Sequence, residues 1–119
     1  MIFGTGIDII EIERIQKAIE NTNFTKRFFS EKEQEYFLKK NMRAETVAGN
    51  FAAKEAFSKA LGTGFSGFEL KDVEILRDGL GKPFVEVGGS LTEKLNGKRI
   101  FVSISHSEKY AVANVIIEE

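Results

Sequence analysis

The chain contains no cysteine. That absence excludes disulfides, Cys-ligated zinc and a thiol nucleophile, and it suits a reducing compartment. Neither sign of charge is in surplus, because 17 Lys and Arg stand against 18 Asp and Glu over 119 residues, for a net charge of −1. No global basic field argues for nucleic acid or an anionic membrane as a partner, so any anion site must be local. No run approaches the ~20 apolar residues of a membrane-spanning helix. The opening stretch "MIFGTGIDII" has neither a basic leader nor an apolar segment long enough for a signal peptide. The expectation is a soluble, cytoplasmic protein. Internal repeats and low-complexity segments are also missing, and His106 is the only histidine. Any catalysis must therefore rest on oxygen and nitrogen groups.

A length of 119 residues suits one domain spanning 1–119. Residues 2 to 9 alternate with period two, with Phe3, Thr5, Ile7 and Ile9 on one face and Ile2, Gly4, Gly6 and Asp8 on the other, which predicts a strand. Ile12, Ile15 and Ile19 recur at helical spacing until "NTN" at 21–23. "SEKE" at 30–33 is a capping box that opens a second helix. A third helix is expected from about Arg43 to Leu61, stopped by Gly62, a residue free to take the left-handed conformation. The second half changes period. "FELKDVEILRDGLGKPFVEV" predicts two strands joined at Asp78-Gly79, and "SLTEKL" a short helix with Ser90 and Glu93 as a second capping pair. "RIFVSISHSEKYAVANVII" predicts two strands around a turn near Ser107 to Lys109. The order implies an α+β fold, a mostly antiparallel sheet with helices packed on one side. The last strand carries apolar residues at both parities, which suggests two covered faces and an oligomer.

Within "VAGNFAAKEAFSKALGTG", a helix apolar around most of its circumference nevertheless carries Glu55, with Lys59 following at i+4. One reading is an ordinary helix ion pair; the other is a functional carboxylate on a rigid mount. Asp8 is the candidate partner. It shares a strand face with Gly4 and Gly6, where side-chain bulk is missing and a ligand could approach, although an aspartate also suits a strand-to-helix junction. Two carboxylates on separate rigid elements, completed by water and phosphate oxygens, suit magnesium. Gly62 and Gly64 leave accessible amides but follow a helix, unlike a Walker loop, so they are a weak phosphate signal. Lys54 and Lys59 read either as solvated lysines or as point charges for phosphate. His106 reads either as a structural histidine or as a group of the site.

The segments "GIDIIEIERI" at 6–15, "FAAKEAFSKALGTG" at 51–64, "GKPFV" at 81–85 and "VSISHS" at 102–107 resemble, in that order, the holo-acyl-carrier-protein synthases. These are the short bacterial class of phosphopantetheinyl transferases. The resemblance covers nearly the whole chain. It implies transfer of the 4′-phosphopantetheine arm of coenzyme A to a serine of apo-acyl carrier protein, releasing adenosine 3′,5′-bisphosphate, with Mg2+ required. It further implies Asp8 and Glu55 as metal ligands and Lys59 facing the coenzyme pyrophosphate. Gly62, Gly64, Gly81, Pro83, His106 and Ser107 would lie around the coenzyme, and Arg14 would dock the acidic carrier protein. The proton of the attacking serine would go to a metal-bound water, with His106 the second candidate. A homotrimer with coenzyme A between subunits is implied as well.

One departure stands out. Family members usually carry a basic residue directly before "FAAKEA", thought to hold coenzyme phosphates, where this chain has Asn50. Lys54, Arg43 or a residue of a neighbouring subunit would then compensate, and an arginine at position 50 would be expected to raise coenzyme affinity. Two other readings compete with the enzyme: a non-catalytic coenzyme A or carrier-protein binding domain of the same fold, and a purely structural α+β subunit.

Overall fold

The computed structural model covers residues 1–119. The period-two segment forms strand β1 (Ile2–Glu11), and the chain passes directly into helix α1 (Ile12–Ala18). "NTN" opens a further helix, α2 (Thr22–Phe28), that periodicity did not predict: the Asn21 side chain caps it by accepting from the Asn23 N–H at 2.9 Å. Helix α3 (Glu31–Lys39) begins at the expected capping box. Ser30 Oγ accepts from the Glu33 N–H at 3.3 Å and Glu33 Oε1 from the Ser30 N–H at 3.1 Å. Helix α4 (Ala44–Leu61) ends at Gly62, whose φ of 87° is the left-handed stop.

Beyond a short 3-10 turn at Leu70–Asp72, strands β2 (Val73–Arg77) and β3 (Pro83–Val87) form a separate two-stranded antiparallel sheet. Their connection is five residues long, 78 to 82, not the two-residue turn expected. The Asp78 carboxylate accepts from the Lys82 and Leu80 N–H groups, which hold its pKa below the usual aspartate range. Helix α5 (Leu91–Lys94) follows, but Ser90 does not cap it; its hydroxyl donates to the Gly67 carbonyl at 3.0 Å. Strands β4 (Arg99–His106) and β5 (Tyr110–Glu118) complete a three-stranded antiparallel sheet in the order β1-β5-β4.

The helices cover one face of that sheet, which makes the molecule an α+β fold as the element order implied. The packing inverts the simplest expectation for β1. Its glycine face, not its aliphatic face, meets α4: a Cβ added at Gly4 would collide with the Ala60 carbonyl oxygen, and one at Gly6 with that of Ala56. The space beside Gly4 and Gly6 is filled by the α4 backbone, so no ligand approaches there. Ala52, Ala53, Ala56, Ala60 and Phe57 then join Val115 and Ile117 of β5 in the main core. A second cluster forms between α1, α2, α3 and α4 around Ile15, Phe29, Phe37 and Val47. On the opposite face of the sheet Phe3, Ile7, Ile9 and Phe101 are left exposed, Ile7 and Ile9 by more than 60%.

Candidate active site

Close packing of β1 on α4 brings Asp8, the next inward residue after Gly6, beside the flank of α4 that carries Glu55 and Lys59. Lys59 Nζ donates to Asp8 Oδ1 at 3.2 Å and to the Ile7 carbonyl at 2.9 Å. Lys59 therefore bonds across to the strand, and the i+4 spacing to Glu55 marks a shared site instead of an isolated helix pair. Glu55 is half-buried, and its pKa is raised, first by loss of hydration and then by the Asp8 carboxylate, with Lys59 opposing. Two carboxylates facing one lysine leave a net negative charge. That all-oxygen donor set fits a hard divalent cation such as magnesium, which takes one or two carboxylates and fills its shell with water and phosphate oxygens.

Gly81, Pro83 and His106 come together elsewhere. They line a cavity of about 220 Å³ with Tyr36, Glu45, Thr46, Gly49, Arg77 and Ile104. β1 and β4 are opposite edges of the three-stranded sheet, with β5 between them, so Asp8 and His106 belong to opposite edges of that sheet. Ser107 forms the β4–β5 turn, where its N–H donates to the Tyr110 carbonyl at 2.8 Å. Gly62 and Gly64 lie just past the end of α4, both at positive φ and with open space around them. Arg14 is exposed on α1.

One basic-site expectation is overturned. Lys54 is fully buried and serves no phosphate. Its ammonium donates to Glu33 Oε1 at 2.7 Å, the Leu70 carbonyl at 2.8 Å and the Phe28 carbonyl at 3.0 Å, and lies over the Phe29 ring. Burial pushes the Lys54 pKa down and the Glu33 pKa up, each opposed by the other's charge. Arg43, at the start of α4, is exposed and pairs with Glu45 at 3.4 Å. Asn50 is also fully buried: its amide nitrogen donates to the Ile75 carbonyl at 3.0 Å and to Glu33 Oε2 at 3.3 Å, and its oxygen accepts from Arg77 at 2.9 Å. An arginine at position 50 would have to displace this network, so the simple gain in affinity expected from that substitution does not follow. Sequence patterning missed Tyr36, Thr46 and Arg77 as lining residues, because each reads as an ordinary surface position of a helix or strand end.

A family model for the 4'-phosphopantetheinyl transferase superfamily matches residues 4–115. The holo-[acyl-carrier-protein] synthase of Clostridium botulinum strain Alaska E43 is 59% identical over 121 aligned positions, covering 99% of this chain and 98% of that protein. Among solved structures, the Bacillus anthracis holo-(acyl-carrier-protein) synthase in complex with CoA (3',5'-ADP) superposes with a TM-score of 0.84 at 40% identity, covering 100% of this chain and 98% of that one. The Neisseria meningitidis holo-[acyl-carrier-protein] synthase gives a TM-score of 0.92 at 34% identity, with both chains fully covered.

Proposed function

The chain belongs to the 4'-phosphopantetheinyl transferase superfamily, and on that premise we propose that its two clusters are the halves of one active site, completed between subunits. The protein is a holo-acyl-carrier-protein synthase, which transfers 4′-phosphopantetheine from coenzyme A to a serine of apo-acyl carrier protein. The serine oxygen forms a bond to the phosphorus of the pantetheine phosphate, and the bond from that phosphorus to the bridging oxygen breaks. Adenosine 3′,5′-bisphosphate leaves with the bonding pair.

The observation that carries the reading is the convergence of Asp8, Glu55 and Lys59 from β1 and α4. Asp8 and Glu55 are the residues that would hold Mg2+, which when bound would supply charge neutralisation at the diphosphate. Lys59 offsets the charge that grows on the leaving oxygen, and its 55% side-chain exposure leaves it free to exchange Asp8 for a phosphate. The serine proton would pass to water at this site, with His106 the second candidate base. Gly81, Pro83, His106 and Ser107 border the coenzyme, with Gly62 and Gly64 beyond the end of α4. Arg14 on α1, with Lys26 and Arg27 on α2, presents exposed cations to the acidic carrier protein.

The exposed apolar face of the three-stranded sheet gives the reason for assembly. Phe3, Ile7 and Ile9 of β1 and Phe101 of β4 are exposed on one face of the sheet, an apolar surface of the kind that marks an interface. A homotrimer buries this face and brings the carboxylate edge of one subunit to the His106 edge of the next.

The test is direct. Incubated with apo-acyl carrier protein, coenzyme A and magnesium, the protein should add one phosphopantetheine mass to the carrier. Excess chelator should abolish the gain, and added magnesium should restore it. Coenzyme A binding with no mass gain on several carrier proteins would identify a non-catalytic binding domain instead, and full activity in chelator would remove the metal from the reaction.

A further inference from the structure

Arg77 ends β2 with its guanidinium in the cavity shared by Gly81, Pro83 and His106. It has two hydrogen bonds, one to Asn50 Oδ1 at 2.9 Å and a long one to the Leu76 carbonyl at 3.4 Å, out of the five its N–H groups could make. Its guanidinium carbon stands 4.9 Å from the centre of the Tyr36 ring, and no carboxylate lies within ion-pair distance. A cation taken partly out of water without an anionic partner is costly, and its pKa is lowered chiefly by that loss of hydration. The one carboxylate lining the cavity, Glu45, is engaged by Arg43. The opening thus presents an oriented guanidinium beside a histidine, and its single carboxylate is paired with a different arginine. At about 220 Å³ it is too small for a whole coenzyme and ample for a phosphate on a sugar.

Asn50 explains the orientation. It is fully buried, anchored through its amide nitrogen to the Ile75 carbonyl and Glu33, and it turns its oxygen to Arg77. The neutral residue that occupies the expected basic position of α4 therefore holds a guanidinium that arrives from β2. We propose that Arg77 is the phosphate-binding cation of this cavity and receives the ribose 3′-phosphate of coenzyme A, with Asn50 as its positioning residue. The assignment rests on the coenzyme reading above. The choice of phosphate follows from charge: the diphosphate belongs with the metal ligands and Lys59, which leaves the 3′-phosphate as the coenzyme's remaining anion. A planar fork is the donor geometry that takes a phosphate through two parallel bonds.

Coenzyme A and dephospho-coenzyme A, which lacks the 3′-phosphate, separate the possibilities when titrated calorimetrically into the intact protein. The wild type should prefer coenzyme A by about tenfold or more, the value of one charged hydrogen-bonded contact. Arg77→Gln, which keeps a donor toward Asn50, should bring that ratio near one by weakening coenzyme A alone. Asn50→Ala should lower the same ratio partway, a change that mere loss of stability does not produce because both ligands would then suffer equally. The double variant Asn50→Arg with Arg77→Asn, which moves the guanidinium onto α4, should recover the preference. Equal weakening of both ligands by Arg77→Gln, or an undiminished ratio, would overturn the assignment. A wild type that binds both ligands equally would overturn it while leaving the coenzyme site standing, and one that binds neither would remove the coenzyme reading and the assignment together.

Discussion

At the scale of single residues, the carboxylate pair trades stability for function. Because the Glu55 pKa is raised in the folded protein, the folded state binds that proton more tightly than the unfolded chain does. Between the usual glutamate value and the raised one, the folded protein holds more protons, so this contribution to stability is full at low pH and is lost as pH rises through that window. In metal-free protein, Glu55→Gln should remove the loss, leaving melting temperature at pH 7 equal to or above the wild type while turnover falls by about 10²-fold or more. Asp8→Asn should also reduce turnover with the fold intact. Thermal melts beside the carrier-protein assay check both, and a variant that lost its cooperative melting transition would show the carboxylate to be structural. Lys54 and Glu33, of opposite charge, are both fully buried and satisfied by each other and by backbone, so they tie α3, α4 and β2 together.

At the scale of elements, the junction of β1 with α4 sets the site. Asp8 reaches Lys59 because α4 lies directly on the β1 backbone, a separation that only glycine at positions 4 and 6 allows. Gly6→Ala should cost about 3 kcal/mol, at the upper end of overpacking, since the obstacle is a backbone carbonyl that cannot rotate away. Gly79→Ala, in the open β2–β3 connection, should stay within about 0.5 kcal/mol. Denaturant melts of the two variants compare them directly. The α1–α2 pair carries the second expectation of this scale. Arg14→Glu should raise the apparent KM for carrier protein far more than that for coenzyme A, because Arg14 is exposed on α1 and does not line the His106 cavity. Steady-state kinetics at rising salt should show carrier-protein binding weakening, as screening over ~8–10 Å implies. An equal effect on both substrates would move the docking surface elsewhere.

For the whole molecule, assembly and activity should fail together. Sedimentation should give about three times the 13.3 kDa chain mass. Ile9→Glu places a charge in the middle of the exposed apolar face, on a side chain that is 65% exposed in the single chain, so folding should survive while the trimer dissociates. Turnover should drop with it, because on the proposed reading the carboxylate edge of one subunit works with the His106 edge of the next. A fully active monomer would show that one chain completes the site alone. Near-neutral net charge removes general repulsion between copies, which favours this association.

The sequence by itself determined the elements whose signals are local. Period two marked β1, the Ser30–Glu33 box opened α3, Gly62 closed α4, and Asp8, Glu55 and Lys59 stood out as charges on otherwise apolar elements. Helix α2 escaped because its start signal, Asn21, lies in a cluster of turn-forming residues that equally suits a loop. Only the tertiary structure decided which face of β1 is covered. Alternation reveals two faces but not which meets the helix, and here close backbone approach at Gly4 and Gly6 won over the burial of Ile7 and Ile9. The same holds for charge. Lys54 and Lys59 sit five residues apart on one helix and are alike in sequence, yet one is sealed against Glu33 and the other faces Asp8, because partners 21 and 51 residues away in the chain set their hydration. Arg77 became legible only once the fold set the end of β2 against Asn50 and Tyr36, since a guanidinium's role depends on which anions are near it, and chain order does not carry that distance.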